Sequence, residues 1–358
     1  AVGSEQDVLY DHNYTEPKFS HITRDKTINM AWHNVTNVAA NNAVQQVLAP
    51  TSGLTTIAPT WFSLADTEGN ISSIADADYV NYAHTAGLEV WAVFRDFHGG
   101  TNSYDETYET LRYTSKRAKL EDQVVAAAVA AGVDGINLDF ELISSKCGVH
   151  YVQLVRELSV KCHQNNLVFS VDNYVPQSYN SHYDLKEQGI VADYVVIMAY
   201  DEHTEGSYEA GSVASISYLQ DGIEKTLKKV SADKVIAGIP FFTRLWFETA
   251  KSSEQLSEEA GTEAASYPNK VSSKALGMEE AAQSVVNAGA TAQWDEKTQQ
   301  NYAKWSADGG TYRIWLEDAQ SLEAKLKVIQ GNKLAGVAEW SLGREESSVW
   351  KLISQYVN

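Results

Sequence analysis

The chain has 358 residues, of which 44% are hydrophobic and 21% are charged, and its formal net charge is -19 at pH 7. A chain this acidic has no excess of Lys and Arg with which to neutralise phosphates, so nucleic acid is excluded as its principal partner. No apolar run approaches the roughly 20 residues that a membrane-spanning helix needs, so membrane insertion is also excluded. The composition is that of a globular protein with a large core.

Short apolar runs rich in β-branched and aromatic residues alternate with helical stretches, which is the pattern of βα units and a parallel sheet. Eight runs are predicted as strands: residues 26–32, 54–60, 88–94, 135–141, 167–172, 194–200, 235–241 and 334–340. Helices are predicted between them at residues 74–86, 122–131, 149–164, 214–230 and 318–329. Eight strands that alternate with helices predict an α/β fold, the (β/α)8 TIM barrel.

Successive strand starts lie about 27 to 46 residues apart, but the last gap, from residue 235 to residue 334, is about 100 residues long. It contains a charged, Ser-rich loop, a helical stretch at 278–287 and strand-like runs at 291–294, 302–305 and 312–316. We therefore predict an N-terminal linker or extension at 1–25 and a barrel domain at 26–246 and 318–358. Residues 247–317 are predicted to form a small α+β insertion between strands seven and eight.

The fourth predicted strand ends in a group of polar residues. If side chains alternate along it, Asn137, Asp139 and Glu141 share one face, while the apolar residues between them share the other. In a barrel the polar set lies on the inner wall and ends at the C-terminal rim, where barrel active sites lie. A lone Asp at a strand end usually caps the next helix. Three polar residues in phase favour catalysis instead, because burying carboxylates side by side costs free energy.

The segment from Asp134 to Glu141 resembles the DxxDxDxE signature of glycoside hydrolase family 18, the chitinase-like TIM barrels. Asp134, Asn137, Asp139 and Glu141 stand at its four positions, so the second position holds Asn in place of Asp. The resemblance implies a retaining, substrate-assisted mechanism, in which the substrate's own 2-acetamido oxygen attacks the anomeric carbon. It implies that Glu141 is the general acid and base, and that Asp139 binds the acetamido N–H and stabilises the oxazolinium-like intermediate.

Asn137 is predicted to contact substrate, and its amide changes the titration expected of the site. An amide cannot share a proton as a carboxyl does, so Asp139 has no titratable partner at position 137. We therefore predict a simpler acidic limb in the pH profile than in typical chitinases. Burial and the neighbouring Asp139 charge are expected to keep Glu141 protonated near the working pH, as a general acid requires.

The sixth predicted strand ends in Met198, Tyr200 and Asp201. This ending resembles the MxYD motif of the family, in which the Tyr hydroxyl bonds the acetamido carbonyl and orients it for attack. Met198 and Tyr200 share one face of the strand, as that role requires. A Tyr near a strand end is otherwise more often a packing residue. The motif implies a catalytic role for Tyr200 and substrate contacts for Met198 and Asp201.

Further substrate-binding candidates lie at other strand ends. Trp340 ends strand eight and matches the Trp that floors the sugar pocket in the family, although a Trp there is otherwise usual core material. Arg244 follows strand seven and either supports the pocket or braces the insertion. Asn173 and Tyr174 after strand five, and Trp61 after strand two, are rim candidates. The strand-three SxGG signature of many chitinases is absent from residues 89–95, which weakens a plain chitinase assignment.

The Asn-containing signature and the residues that follow Tyr200 resemble the bacterial branch of the family that includes spore-cortex-lytic N-acetylglucosaminidases. The implied activity is cleavage of β-1,4 bonds after GlcNAc in peptidoglycan or a related, chitin-like GlcNAc polymer. The nearest alternatives are a chitinase and an endo-β-N-acetylglucosaminidase acting on glycans. From another class, a GlcNAc-binding, lectin-like barrel remains open, although such barrels typically lose the acid that Glu141 supplies.

No metal and no cofactor are expected, because no cluster of residues has metal-ligand spacing. We expect a monomer whose partner is the polysaccharide. The chain begins at Ala1 without Met, and its start has no basic segment followed by an apolar one. We interpret it as a product from which a signal was removed, so the expected location is secreted or cell-wall associated.

Overall fold

The computed structural model describes residues 20–97 and 103–357. In these ranges the strands are β1 (Ile28–His33), β2 (Thr56–Leu64), β3 (Ile71–Ser73), β4 (Glu89–Arg95), β5 (Gly135–Asp139), β6 (Val168–Tyr174), β7 (Tyr194–Met198), β8 (Val235–Pro240), β9 (Phe242–Ala250), β10 (Asn269–Gly277), β11 (Gln293–Asp295), β12 (Gln300–Ala307), β13 (Gly310–Leu316) and β14 (Gly336–Trp340).

Eight parallel strands form a barrel in the order β1, β2, β4, β5, β6, β7, β8 and β14. The barrel closes because β1 pairs with β2 on one side and with β14 on the other. Each of these strands overlaps its predicted run, so the (β/α)8 prediction is confirmed. The short strand β3 pairs antiparallel with the end of β2.

Most helices cover the outside of the barrel. In the described ranges the helices are α1 (Val44–Leu48), α2 (Ala77–Thr85), α3 (Tyr104–Leu111), α4 (Thr114–Ala131), α5 (Gly148–Gln164), α6 (Leu185–Val191), α7 (Ile216–Leu227), α8 (Ser253–Glu258), α9 (Met278–Asn287), α10 (Ala319–Gly331) and α11 (Val349–Val357). The exceptions are α8 and α9, which belong to the segment between β8 and β14. Helix ends follow local chemistry. The Asp76 carboxylate accepts bonds from the first backbone N–H groups of α2, and α4 ends at Gly132, whose φ of 77° favours glycine.

Side chains of β5 alternate between the two sides of the barrel wall, as predicted. Ile136 and Leu138 pack into the core between strands and helices, whereas Asn137 points inward. Gly135 begins the strand at a crowded point: a Cβ there would lie 2.8 Å from the Val168 carbonyl oxygen and 2.9 Å from the Trp91 ring. Glycine therefore allows β5 to lie between its neighbours and brings its polar residues to the barrel mouth.

A second, antiparallel sheet stands between β8 and β14 in the chain, with strand order β10, β9, β13, β12, β11. Helix α9 packs against one face of it through a small core that includes Ala281, Val285 and Ile314. The α+β insertion between the seventh and eighth barrel strands is thus present. Its first strand, β9, begins at Phe242, five residues before the predicted boundary at 247.

In the described ranges, the elements that escaped prediction are β3, β9, β10, α1, α3, α6, α8, α11 and the first part of α4. β10 has exposed and half-buried residues in alternation with almost no buried apolar residue, so it resembles a polar loop. The first half of α4 and all of α3 are charged or polar on their outer faces, and only the Ala-rich end of α4 was predicted as helix.

Residues 20–25 have no regular secondary structure and are bonded to the amino-terminal end of the barrel. The backbone N–H of Ile22 donates to Asp193 at 2.7 Å, and that of Arg24 donates to the Tyr194 hydroxyl at 2.8 Å. The earlier part of the predicted linker, 1–19, lies outside the described residues. None of the helices within 20–97 and 103–357 combines the length and hydropathy needed to cross a bilayer.

Candidate active site

A cavity of about 300 Å³ opens at the carboxyl ends of the barrel strands. Side chains from β1, β4, β5, β6, β7 and β14, or from residues just after them, line it, because parallel strands all end at this rim. The lining residues are Trp32, Asn34, Arg95, Phe97, Asp139, Glu141, Asp172, Tyr174, Met198, Tyr200, Asp201 and Trp340. Seven of the eleven predicted site residues are in this set.

Glu141 lies just beyond the end of β5 and is hydrogen-bonded to Tyr174. The Tyr174 hydroxyl donates to Glu141 Oε2 at 2.7 Å. The pKa of Glu141 is raised above its ordinary value, chiefly by burial and also by the charge of Asp201. The hydrogen bond from Tyr174 and the charge of Arg95 oppose that rise. A carboxyl held protonated in a cavity is suited to act as a general acid.

Asp139 ends β5 deeper in the same cavity. Its Oδ1 is buried without a hydrogen-bond partner in the described part of the chain. Burial raises the pKa of Asp139 well above its ordinary value, and the charges of Glu141 and Asp172 raise it further, while Arg95 lowers it. Despite this concentration of carboxyls, no group of three His, Cys, Asp or Glu within 20–97 and 103–357 is arranged to hold a metal ion.

Asn137 lies below Asp139 and does not line the cavity. Its Oδ1 accepts a bond from the Trp32 indole N–H at 3.0 Å. Its Nδ2 donates to Ser170 Oγ at 2.9 Å and to Asp172 Oδ1 at 2.7 Å. Because an indole N–H can only donate, it fixes which way the Asn137 amide faces. The structure thus places Asn137 as a support beneath the site, where we had predicted a contact with substrate.

Asp96 holds the segment that carries Glu141. Its two carboxylate oxygens accept bonds from the backbone N–H groups of Glu141 and Leu142, both at 2.8 Å, and the Thr107 hydroxyl donates to the same carboxylate at 3.2 Å. These backbone groups bond to a side chain and not to a neighbouring strand, so β5 ends at Asp139, two residues before its predicted end. Burial raises the pKa of Asp96 to about 7.

Met198, Tyr200 and Asp201 reach the cavity together, as their strand phase predicts. The Tyr200 ring is buried, and its hydroxyl makes no hydrogen bond to another described residue. Asp201 adopts a left-handed backbone conformation, with φ of 57°, directly after it. The Tyr200 hydroxyl is therefore available to a ligand in the cavity.

Aromatic rings form one wall of the cavity. The centroid of the Trp32 ring lies 6.0 Å from that of Trp340 and 6.4 Å from that of Tyr200. The Phe242 ring also packs on Tyr200, with centroids 6.2 Å apart. These rings fix one another in edge or tilted contacts, which leaves the half-buried Trp340 ring as a surface for an apolar sugar face.

Arg244 is outside the cavity lining and acts on it at a distance. It lies on β9, where its Nη1 donates to Ser273 Oγ at 2.8 Å. Its positive charge lowers the pKa of Asp201, which burial raises. Of the two roles left open for Arg244, the contact with Ser273 of β10 corresponds to bracing the insertion.

Asn173 and Trp61 point away from the cavity, so the structure gives both a packing role. Asn173 has the opposite strand phase from Asp172 and exchanges two hydrogen bonds with Gln188 of α6, at 2.7 and 2.9 Å. Trp61 has the same strand phase as Ile57, and both side chains pack in the core between strands and helices, so its ring points outward. Its indole N–H donates to Asn41 at 2.7 Å, and its ring packs on Tyr79 at 4.9 Å.

Sequence reasoning missed five cavity residues, which are Trp32, Asn34, Arg95, Phe97 and Asp172. For Trp32, Arg95 and Asp172 a signal was available in the two-residue phase of the strand. Arg95 is in phase with Trp91 and Val93, which face the barrel interior, and Asp172 is in phase with Ser170. Arg95 is only 8% exposed, and its Nε has no hydrogen-bond partner among the described residues. A charged residue near the C-terminal end of a barrel strand, in phase with residues that face the interior, thus indicates the cavity.

This fold and this cavity define a barrel enzyme of the glycoside hydrolase class. The family model for Glycosyl hydrolases family 18 matches residues 30–345, which is most of the chain. The chain therefore belongs to glycoside hydrolase family 18.

Two curated relatives and one solved structure illustrate the relationship. The uncharacterized glycosylase YvbX of Bacillus subtilis is 26% identical over 295 residues, or 80% of each chain. The cortical fragment-lytic enzyme of the same organism is 27% identical over 256 residues, which are 68% of this chain but 54% of that enzyme. The crystal structure of a chitinase from Chromobacterium violaceum has the same fold, with a TM-score of 0.76 and 20% identity over 92% of this chain and 98% of that one.

Proposed function

We propose that the chain is a retaining, substrate-assisted hydrolase that cleaves β-1,4 bonds after GlcNAc in peptidoglycan or a related GlcNAc polymer. The observation that carries the proposal is the position of Asp139 and Glu141. They stand two residues apart in one cavity, which Tyr200 also lines. Two carboxyls on adjacent inward positions leave little room for the water molecule of an inverting reaction.

In the proposed reaction Glu141 transfers its proton to the glycosidic oxygen as the bond to the anomeric carbon breaks. The acetamido carbonyl oxygen of the substrate forms a new bond to that carbon. Asp139 accepts a hydrogen bond from the acetamido N–H, and the Tyr200 hydroxyl donates one to the acetamido carbonyl oxygen. Water then bonds to the anomeric carbon as the bond from that carbon to the acetamido oxygen breaks; the water proton passes to Glu141, which restores the protonated acid and frees the acetamido group. The anomeric configuration is retained after two inversions.

The environment of Asp139 favours the acetamido group over Asp139 itself as the nucleophile. Burial and neighbouring negative charges raise the pKa of Asp139. A carboxyl that holds a proton for much of the time is a weak nucleophile but accepts or shares a hydrogen bond well. This supports a substrate in which the sugar before the scissile bond carries a 2-acetamido group.

The polymer is proposed from the relatives. One relative is named as a cortical fragment-lytic enzyme, which supports a substrate in bacterial peptidoglycan, and a secreted or wall-associated location goes with such a substrate. A chitinase is the second candidate, since the same cavity would accept GlcNAc from chitin. Residues 89–95 lack the strand-three signature of many chitinases, which favours peptidoglycan over chitin as the substrate.

A product analysis tests the proposal. Purified peptidoglycan and chitooligosaccharides are incubated with native protein, with Glu141→Gln and with the matched variant Glu224→Gln, whose side chain is exposed on α7. We expect muropeptides with reducing GlcNAc ends from the native protein and from Glu224→Gln, and none from Glu141→Gln. Cleavage of chitooligosaccharides alone would move the assignment to chitinase. Binding without cleavage of either would support the lectin-like alternative.

The stereochemistry has its own measurement. Proton NMR during early turnover of a chitooligosaccharide or a soluble muropeptide distinguishes the first-formed anomer of the reducing end. The proposal requires the β-anomer first. An α-anomer at early times would exclude the retaining route whatever the polymer.

A further inference from the structure

Two buried carboxyls share the floor of the cavity. Asp139 ends β5, and Asp172 lies on β6, the adjacent strand; both line the cavity and both are largely removed from solvent. Asp139 Oδ1 and Asp172 Oδ2 are each buried without a hydrogen-bond partner in the described part of the chain. Two carboxylates so placed cannot both ionise without a large cost in free energy.

Asn137 determines which oxygen of Asp172 can carry a proton. The Trp32 indole N–H occupies the amide oxygen of Asn137, so the amide nitrogen must face the other way. That nitrogen donates to Asp172 Oδ1 at 2.7 Å, which makes Oδ1 an acceptor. A proton on Asp172 therefore resides on Oδ2, which has no hydrogen-bond partner within residues 20–97 and 103–357.

We propose that Asp172 and Asp139 titrate as one pair that holds a single proton, which makes Asp172 a positioning residue for Asp139. The pair keeps one negative charge beneath the reacting sugar while avoiding two. The inference rests on the proposed function for its catalytic meaning. It also changes the prediction of a simpler acidic limb in the pH profile. Asp172 on the next strand supplies the carboxyl that is missing at Asn137, so the acidic limb reports the Asp139–Asp172 pair.

Burial and the surrounding charges are consistent with such a pair. Burial raises the pKa of Asp172 to about 8 and the charge of Glu141 adds to the rise, while the Asn137 amide and the nearby Trp32 indole N–H lower it. The charge of Asp172 in turn raises the pKa of Asp139. The titratable and charged groups that face Asp172 from the neighbouring elements are Asp139 and Glu141 of the β5 segment, Arg95 of β4, Tyr200 after β7 and Tyr151 of α5.

The test is a carbon-13 NMR titration of the whole chain labelled at Asp carboxyls. We compare native protein with Asp172→Asn, which keeps the shape of the side chain. Removing the second carboxyl is expected to lower the apparent pKa of Asp139 by about one unit or more. Ser170→Ala is the matched control, because it removes another partner of Asn137 but leaves both carboxyls in place. An unmoved Asp139, or an equal shift in Ser170→Ala, would overturn the proposal.

The titrations of two coupled carboxyls affect each other equally. A second variant therefore tests the pair even if Asp172→Asn fails to fold. In Asp139→Asn, the titration of Asp172 must move downward by a similar amount. An unmoved Asp172 there would also overturn the pair. The NMR measurement needs no turnover, so it decides the pair even if the protein cleaves no glycan. If it does cleave, the acidic limb of kcat/KM for Asp172→Asn moves to lower pH.

Discussion

The Tyr174 hydroxyl donates a 2.7 Å hydrogen bond to Oε2 of Glu141 and joins an exposed ring to the acid of the site. Tyr174 is 39% exposed at the cavity mouth, whereas Glu141 is largely enclosed. A bond to the ionised form of a carboxyl lowers its pKa and so opposes the effect of burial. Tyr174 therefore limits how strongly the cavity favours the protonated acid.

Tyr174→Phe is expected to raise the pKa of Glu141, because it removes the bond that stabilises the carboxylate. A general acid works only while protonated, so the basic limb of kcat/KM should move to higher pH by on the order of one unit. The measurement is the pH dependence of kcat/KM on a chitooligosaccharide or soluble muropeptide. Tyr179→Phe is the matched control, because Tyr179 is 79% exposed and does not line the cavity. A limb that moves to lower pH would contradict this account.

Trp340→Ala is expected to weaken substrate binding more than it slows the chemical step. The Trp340 ring lines the cavity beside Trp32 and offers a face to the apolar side of a pyranose ring. Its loss should raise KM roughly tenfold and leave kcat within a few-fold. Steady-state kinetics measure the split. A fall in kcat with an unchanged KM would assign the ring to the chemical step.

Trp61→Phe is expected to lower stability and leave substrate binding unchanged, because Trp61 lies outside the cavity. The change deletes the bond to Asn41 Oδ1 and leaves that buried oxygen unsatisfied. We expect a loss of about 1–3 kcal/mol in the free energy of unfolding, seen as a lower Tm. Well below Tm, kcat/KM should stay within twofold of the native value. A large rise in KM would return Trp61 to the site.

Asp96→Ala is expected to lower kcat because the backbone of the β5 segment loses the carboxylate that holds Glu141 and Leu142. A small displacement of the acid costs roughly 10- to 100-fold in rate. Thr107→Val is the control, since it removes only the hydroxyl bond to Asp96. Its kcat should fall far less. Equal losses in the two variants would mean that general destabilisation, and not the position of Glu141, sets the rate.

The predictable part of the site is local in the chain. Asp139 and Glu141 could be found because two-residue alternation within one strand decides which face they occupy. Met198 and Tyr200 followed for the same reason. The barrel itself followed from eight apolar runs of strand length. In each case the relevant neighbours lie within a few residues.

The rest of the site depends on which strands become neighbours. The role of Asp172 depends on β6 lying beside β5. The role of Asp96 depends on the segment after β5 folding onto the end of β4. Trp61 shows a different failure: its place at the end of the second predicted strand suggested the rim, but it is in phase with Ile57 and packs in the outer core.

The buried carboxyls should also make the protein less stable as pH rises. The folded-state pKa of Asp172 is about 8 against an ordinary value of 3.8, so between these values the folded chain binds more protons than the unfolded chain. Its stabilising contribution is complete below about pH 4 and is lost as pH rises through about 8. Asp139 and Asp96 act in the same direction.

Comparing variants isolates this effect from other titrations. Burial lowers the pKa of His33 to about 4, which gives the opposite slope below pH 6.5, so the useful window is about pH 6.5 to 8. There Asp172→Asn should remove up to about 1.4 kcal/mol per pH unit from the slope of unfolding free energy against pH. Urea unfolding of native and variant protein at several pH values measures it. Parallel slopes would mean that Asp172 is already ionised in the folded chain, and that its carboxylate is stabilised by the cavity and not penalised by it.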